Sequence, residues 1–247
     1  MIEVAHITKR YGGARTAPVI EDVSLCVRDG SIFGLVGYNG AGKTTLLKII
    51  AGVYRPSAGE VRLDGRTGAP RPGELFIVAD EPYFISQATP RTMGRFYRGY
   101  YPAWSAERYL KLLEVFGLDE HARIEGFSKG MARQCGIALG FASGARALLL
   151  DESFDGLDLA KRRLIKRLLK GYASVRNAAV LVTSHNLLEI EDIADDLGMI
   201  DGSRLVFSGS TEEIHRAHPN ASLEEIFLAH DDGAGAPLDM EVLFGPA

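Results

Sequence analysis

The sequence predicts an α/β fold in which short buried strands alternate with amphipathic helices. In residues 31–52, an apolar run of strand type is followed by a glycine-rich loop and then by apolar residues at helical spacing. Three later apolar runs, at residues 75–79, 147–150 and 179–184, are continuous rather than alternating. Continuous runs are typical of strands that are buried on both faces. We therefore expect a central sheet that is covered on both sides.

The composition is compatible with one large domain or one and a half. The chain has 247 residues, of which 46% are hydrophobic, enough for a substantial core. Its formal net charge of −4 gives no sign of a nucleic-acid partner, because such proteins usually show a basic excess. Cys26 and Cys135 lack a metal-binding spacing and are expected to be reduced, as in a cytosolic protein. We find no apolar run near the roughly 18 residues of a membrane span and no signal peptide, so we expect any membrane role to come from a partner.

The N-terminal residues alternate in strand fashion. Two runs, at residues 2–7 and 19–27, are separated by a loop, and a turn at 29–30 ends the second run. A third short strand is expected at residues 59–65. Tyr11 lies in the intervening loop, where it either covers a sheet edge or offers a ring on which adenine can stack.

The glycine-rich loop carries the clearest chemical signal. The phosphate-loop pattern G-x-x-x-x-G-K-[ST] is made by Gly37, Tyr38, Asn39, Gly40, Ala41, Gly42, Lys43 and Thr44. Backbone N–H groups at such a helix start converge on phosphates, and the helix dipole adds positive potential. We expect Lys43 to reach the β and γ phosphates and the Thr44 hydroxyl to bind Mg²⁺. The motif and its context predict nucleotide binding.

The pattern becomes helical from about residue 90 to residue 126. Ser105 is expected to cap a helix that Gly117 ends, and Ser128 to cap the next one. The later helix is expected to bury a stripe of Met131, Cys135, Ala138 and Ala142. An aromatic cluster is expected at the core and interface of this helical segment: Phe96, Tyr97, Tyr100, Tyr101 and Trp104.

Two carboxylates, Asp151 and Glu152, end a buried strand. Placing them there is costly unless a metal ion or phosphate chemistry uses them. Asp151 would belong to the Mg²⁺ shell, and Glu152 would polarise a water against the γ phosphate. His185 follows another buried strand, at its carboxyl end. Ligands of open α/β sheets bind at such strand ends, so a role in the site is expected; a structural role is the alternative. With Lys43, these residues predict a nucleotide hydrolase.

The C-terminal third continues the α/β pattern. Asp158 is expected to cap a helix whose basic run, at residues 161–170, forms a solvated face, with contact to anionic lipid as the alternative. Residues 197–209 predict a last pair of strands. Short helices should follow near 211–217 and 222–229, and we expect residues 231–247 to form a disordered tail.

Six of these elements, in this order, resemble the nucleotide-binding subunit of an ATP-binding-cassette (ABC) transporter over about residues 1–230. They are the A-loop Tyr11, the Walker A residues 37–45 (ending in Thr45), the signature Ser128, Lys129, Gly130 and Met131, the Walker B residues 148–152, the D-loop 156–158 and the switch histidine His185. The resemblance implies a phosphate-loop NTPase fold of the RecA-like type. Its mixed sheet core would carry an N-terminal antiparallel β subdomain. A helical subdomain, at about residues 86–142, would be inserted between the Q-loop and the signature.

The resemblance also implies an ATPase that forms ADP and phosphate, with ATP and Mg²⁺ as cofactors. Glu152 and His185 would be catalytic, and Thr44, Asp80 and Asp151 would bind the metal. The signature residues and Asp158 would contact a partner subunit, either a second copy or another ABC subunit.

Membrane permease subunits would dock near the Q-loop and the helical subdomain, placing the chain in the cytoplasm on the inner face of the cell membrane. Within the family, residues 101–104, the signature and residues 222–227 resemble bacterial exporters of the bacitracin and multidrug type, which implies a peptide, drug or lipid-like cargo.

The chain departs from the family pattern at four positions. Asp80 stands in place of the Q-loop glutamine, and Ser153 in place of the usual proline. Within the signature, Lys129 adds a positive charge and Met131 lacks an amide. We expect these changes to affect rate and coupling more than ATP binding.

Three rival interpretations remain. A non-transport ABC protein acting on ribosomes or DNA would usually carry two cassettes, long coiled coils or a basic surface. A kinase or GTPase would lack the signature at Ser128 and the switch histidine at His185. A regulatory subunit that binds and senses ATP is the third, and the altered Q-loop is consistent with it.

Overall fold

The computed structural model describes residues 1–12, 16–217, 219 and 222–229, so the predicted tail lies outside the described residues. Ten strands are present in this part: β1 (Ile2–Lys9), β2 (Ile20–Val27), β3 (Ile32–Val36), β4 (Ala58–Leu63), β5 (Arg66–Thr67), β6 (Leu75–Val78), β7 (Ala147–Leu150), β8 (Ala179–Ser184), β9 (Asp196–Asp201) and β10 (Arg204–Ser210). The same residues form seven α-helices: α1 (Lys43–Ile50), α2 (Pro90–Arg98), α3 (Ala106–Phe116), α4 (Lys129–Ser143), α5 (Leu159–Arg176), α6 (Thr211–Ala217) and α7 (Leu223–Ala229).

The first sheet has four strands in the order β2-β1-β4-β5, and all its pairs are antiparallel. Along β1, the side chains of Ile2, Val4 and Ile7 are buried, which accounts for the alternating pattern at the N-terminus. The expected N-terminal antiparallel sheet is therefore present.

The second sheet has six strands in the order β10-β9-β3-β8-β7-β6. Strand β3 pairs in parallel with β8 and β9, and β7 pairs in parallel with β6 and β8. Strand β10 is antiparallel to β9, so the sheet is mixed, as predicted. Because parallel strands end at the same edge, the segments that follow β3, β7 and β8 meet there.

Helices α2, α3 and α4 lie between β6 and β7 in the chain. The predicted caps are confirmed: the Ser105 hydroxyl accepts from the backbone of Arg108, and the Ser128 hydroxyl from Met131. Gly117 ends α3 with φ of 69°, a left-handed conformation that favours glycine.

Helix α4 is buried more completely than a single stripe predicts. Every residue from 133 to 143 is buried, because α4 packs against β6 as well as against α2 and α3. Met131, at the start of the expected stripe, is only half-buried. As a result, the polar side chains of Arg133 and Gln134 lie inside the protein. Among the described residues, none of the helices combines the length and the apolar character that a membrane span needs.

Candidate nucleotide site

The phosphate loop runs from the end of β3 to the start of α1. Gly40 and Gly42 have φ of 86° and 103°, in the left-handed region that favours glycine. A Cβ on Gly42 would lie 2.7 Å from the carbonyl oxygen of Val19, so a larger residue would displace the backbone. The loop therefore depends on glycine for its shape.

Lys43 is the first residue of α1, and its side chain is buried. Its Nζ donates to the carbonyl oxygens of Gly37 at 2.6 Å and Tyr38 at 3.2 Å. It also lies 3.0 Å from Oε1 of Glu152. The lysine thus joins the phosphate loop to the acidic end of β7.

Asp151 directly follows β7 and is buried with 2% of its surface exposed. One carboxylate oxygen accepts from the Thr183 hydroxyl at 2.8 Å, and the carboxylate also has a hydrogen bond with Thr44. Burial raises the pKa of Asp151, and the hydrogen bonds from Thr44 and Thr183 only partly oppose this. The hydroxyl of Thr44 and the carboxylate of Asp151 are therefore adjacent, as the sequence predicts for two ligands of one metal ion.

Glu152 has a φ of 44°, unusual for a residue with a side chain. Its Oε2 accepts from both the backbone N–H and the Nδ1 of His185, at 3.1 and 2.9 Å. Its backbone N–H donates to the Thr183 hydroxyl at 3.1 Å. Burial raises the pKa of Glu152, but the bonds from His185 and Lys43 outweigh it, so the pKa lies below its ordinary value. The carboxyl group is accordingly ionised at neutral pH.

Asp155 joins this group. One ligand atom from each of Glu152, Asp155 and His185 lies within 4.8 Å of the others. The sequence did not single out Asp155 or Thr183, although a hydroxyl near the end of a buried strand such as β8 is a signal that could have identified Thr183.

Tyr11 is half-exposed, and its hydroxyl lies 3.4 Å from the Thr45 hydroxyl at the start of α1. Its ring meets that of Tyr54 edge-on, with centroids 6.0 Å apart, and the ammonium of Lys9 lies 5.3 Å from its centre. The structure thus places Tyr11 next to the phosphate loop with part of its ring accessible.

The signature residues stand apart from this cluster at the N-terminus of α4. Gly130 packs closely against the loop after β7: a Cβ on Gly130 would lie 2.8 Å from the carbonyl oxygen of Gly156. Asp158 caps α5 by accepting from the backbone of Lys161 at 2.9 Å, as predicted. The signature residues and the D-loop therefore lie against each other.

Asp80 follows β6 and is partly exposed. Its Oδ1 is bonded by the guanidinium of Arg133 and lies 3.9 Å from Nζ of Lys129. Asp80 is also near enough to Asp151 for its charge to help raise the pKa of that residue, with burial as the larger cause. Sequence reasoning missed Arg133, since an arginine on a helix normally faces solvent.

Comparisons with known proteins identify a family for this chain. The ABC transporter family matches residues 20–155. The ABC transporter ATP-binding protein YtrB of Bacillus subtilis is 29% identical over 83% of this chain and 70% of its own. The bacitracin transport ATP-binding protein BcrA of Enterococcus faecalis is 32% identical over 87% of this chain and 71% of its own.

Solved structures show the same fold. The ATP-binding subunit of an ABC transporter superposes with a TM-score of 0.83 at 26% identity, covering 93% of this chain and 99% of its own. A dimeric ATP-binding cassette in a post-hydrolysis state, bound to ADP and Pi, gives 0.78 at 21% identity over 85% of this chain and 99% of its own. At that identity the likeness concerns the fold alone.

Proposed function

The chain belongs to the ABC transporter family, and we propose that its ATP hydrolysis drives export of a peptide, drug or lipid-like substrate through separate membrane subunits. The observation that carries the proposal is the position of Glu152, an ionised and half-buried carboxylate held between Lys43 and His185. A general base needs such a carboxylate next to the phosphates it serves.

The residues at the sheet edge fit the expected Mg²⁺. Thr44 and Asp151 offer a hydroxyl and a carboxylate oxygen side by side, and Mg²⁺ prefers oxygen ligands. A bound Mg²⁺ would neutralise charge on the β and γ phosphate oxygens. The resemblance implies Asp80 as a third ligand, but Arg133 already bonds its Oδ1, so we do not include Asp80 among the Mg²⁺ ligands that we propose.

The chain's own groups divide the remaining tasks. Gly40 and Gly42 shape the backbone cradle for the phosphates, and Lys43 supplies the positive charge inside it. Glu152 would accept the proton of the attacking water, while His185 fixes the orientation of that carboxylate through two hydrogen bonds. Tyr11 would stack on the adenine.

We further propose that hydrolysis requires a dimer, formed by two copies or with a second ABC subunit. The signature Ser128, Lys129, Gly130 and Met131 would face the ATP bound to the partner, and Asp158 would contact the partner's loop. The hydroxyl of Ser128 and the N-terminus of the 15-residue helix α4 suit a γ phosphate. The dimeric state of the solved cassette with the same fold supports a dimer.

A surface groove supports the docking of a permease. It has a volume of about 540 Å³ and lies between the end of α1, residues 70–77 and the aromatic side chains of Phe96, Tyr97, Tyr100 and Tyr101. Phe96 and Tyr100 are partly exposed there, at 43% and 55%. An exposed aromatic groove suits an apolar segment of a membrane protein. The chain would then lie on the cytoplasmic face of the cell membrane.

The deciding experiment is phosphate release with Mg·ATP by the wild type and by Glu152→Gln, with both sized by light scattering. We expect the variant to lose at least about a hundredfold in rate, the usual contribution of a general base, and to dimerise with ATP. Glu191→Gln, which changes a partly exposed acid that lies 3.9 Å from Nε2 of His215, should behave as the wild type. If the wild type and the variant both bind ATP but neither releases phosphate nor dimerises, hydrolysis by this chain alone would be contradicted. That outcome would favour an ATP sensor.

A further inference from the structure

Arg133 joins three segments of the chain that no single motif connects. It lies on α4, and its side chain is fully buried. Nη2 donates to both the carbonyl oxygen and the carboxylate of Asp80, and Nη1 donates to the carbonyl oxygen of Asp155. One guanidinium therefore holds together the signature helix, the loop after β6 and the loop after β7.

The burial of Arg133 depends on Asp80. A buried guanidinium is costly unless its charge is balanced and its N–H groups are satisfied. Asp80 provides the carboxylate, whereas Nε of Arg133 has no hydrogen-bond partner among the described residues. Removing the charge of Asp80 would leave the cation of Arg133 unbalanced inside the protein.

Asp155 connects the pair to the nucleotide site. Its carboxylate belongs to the group that it forms with Glu152 and His185. It also begins the loop to Asp158, through Gly156 with φ of 72°. By holding the carbonyl of Asp155, Arg133 fixes where this loop starts.

We propose that Arg133 and Asp80 form a latch that positions the loop at residues 155–158 for hydrolysis. In this role Asp80 is the counter-ion of Arg133, which differs from its expected place in the metal shell. Arg133 is a positioning residue, because it acts through Asp155 and Asp80. The inference rests on the proposed hydrolysis of ATP.

The test compares Arg133→Met, Asp80→Asn and the double variant with the wild type. Hydrogen exchange of peptides covering residues 153–160 reports the loop, and phosphate release over a range of ATP and Mg²⁺ concentrations reports the reaction. The matched control is Arg91→Met, which breaks a pair with Glu120 at 3.2 Å on the surface of the helical segment.

We expect faster exchange at residues 153–160 in both single variants. In each, kcat should fall about tenfold while KM for ATP stays within about twofold. This pattern is expected when an interaction that stabilises only the transition state is lost. The double variant should be no worse than either single variant, because the two groups act as a unit. Arg91→Met should change neither the exchange nor kcat.

Unchanged exchange at residues 153–160 in Arg133→Met, or losses that multiply in the double variant, would overturn the latch. So would a higher Mg²⁺ requirement in Asp80→Asn alone, which would make Asp80 a metal ligand. A wild type without turnover would contradict the proposed function, whereas the exchange experiment would still decide the latch. If Arg133→Met does not fold, Arg133→Lys replaces it, because lysine keeps the charge but lacks the fork that reaches both partners.

Discussion

The ammonium of Lys43 lies 3.0 Å from the carboxylate of Glu152, so the cation of the phosphate loop is paired with the proposed general base. The other acceptors of Lys43 are the carbonyl oxygens of Gly37 and Tyr38, and a lysine has only three N–H donors. A phosphate oxygen must therefore compete with these acceptors for Lys43. If the phosphate displaces Glu152 from Lys43, phosphate binding frees the carboxylate of Glu152 to accept a proton from the attacking water.

We expect Lys43→Met to weaken nucleotide binding severely. Removing one partner of a buried, hydrogen-bonded charge pair costs about 3 kcal/mol, roughly a hundredfold in Kd. Titration with a fluorescent ATP analogue measures the effect. Lys111→Met removes an exposed lysine paired with Glu107 and should leave Kd unchanged. Equal affinities of Lys43→Met and the wild type would exclude Lys43 from the phosphate site.

We expect Asp151→Asn to raise the melting temperature at neutral pH while abolishing turnover. Burial raises the pKa of Asp151, so its ionised form costs stability above that pKa. Asparagine has the same shape and never ionises. The advantage should therefore shrink as the pH falls through the raised pKa of Asp151, where the aspartic acid of the folded protein becomes neutral, and should vanish below the ordinary pKa that it has in the unfolded chain.

Thermal melts of Asp151→Asn are best recorded in EDTA without nucleotide, so that bound Mg²⁺ does not stabilise the wild type. The exposed Asp119 provides the control, since Asp119→Asn should show no such dependence on pH. A variant less stable than the wild type at pH 7 would show that the Asp151 charge is favourable in the fold.

Local signals explain which parts of this structure the sequence could predict. The phosphate loop and the caps at Ser105, Ser128 and Asp158 depend on residues within a few positions of one another, so their patterns are readable. The strand ends predicted the meeting of Thr44, Asp151 and Glu152 because parallel strands finish at one edge.

Contacts made through tertiary packing could not be predicted in this way. The bond from Thr183 to Asp151 joins residues 32 positions apart, and that from Arg133 to Asp80 spans 53. Both depend on which element packs beside which, information that periodicity does not contain. Helix α4 is the clearest case, because burial on several sides turned two apparently solvent-facing polar residues into internal ones.

We expect Gln134→Met to stabilise the protein by about 1 kcal/mol, the range for a buried amide without a bond. Gln134 is fully buried, and within the described residues neither atom of its amide has a hydrogen-bond partner. Methionine has a similar length and requires none. Urea unfolding measures the change, and Gln87→Met, at an exposed position, serves as the control. A loss of stability would show that the Gln134 amide is hydrogen-bonded in the folded protein, for which a buried water would suffice.

The aromatic groove formed by Phe96, Tyr97, Tyr100 and Tyr101 is the surface where we expect the membrane partner to bind. We expect a photo-crosslinking amino acid at Tyr100 to attach the chain to an integral membrane protein in the source cells. The same group at Val175, which is 84% exposed on α5, should give no such product.

Tyr100→Glu should reduce the membrane-bound fraction, because a carboxylate is costly in an apolar interface. Phosphate release by the purified variant should stay within about twofold of the wild type, since Tyr100 lies outside the nucleotide site. Equal crosslinking at both positions, or membrane binding unaffected by the charge, would place the permease elsewhere.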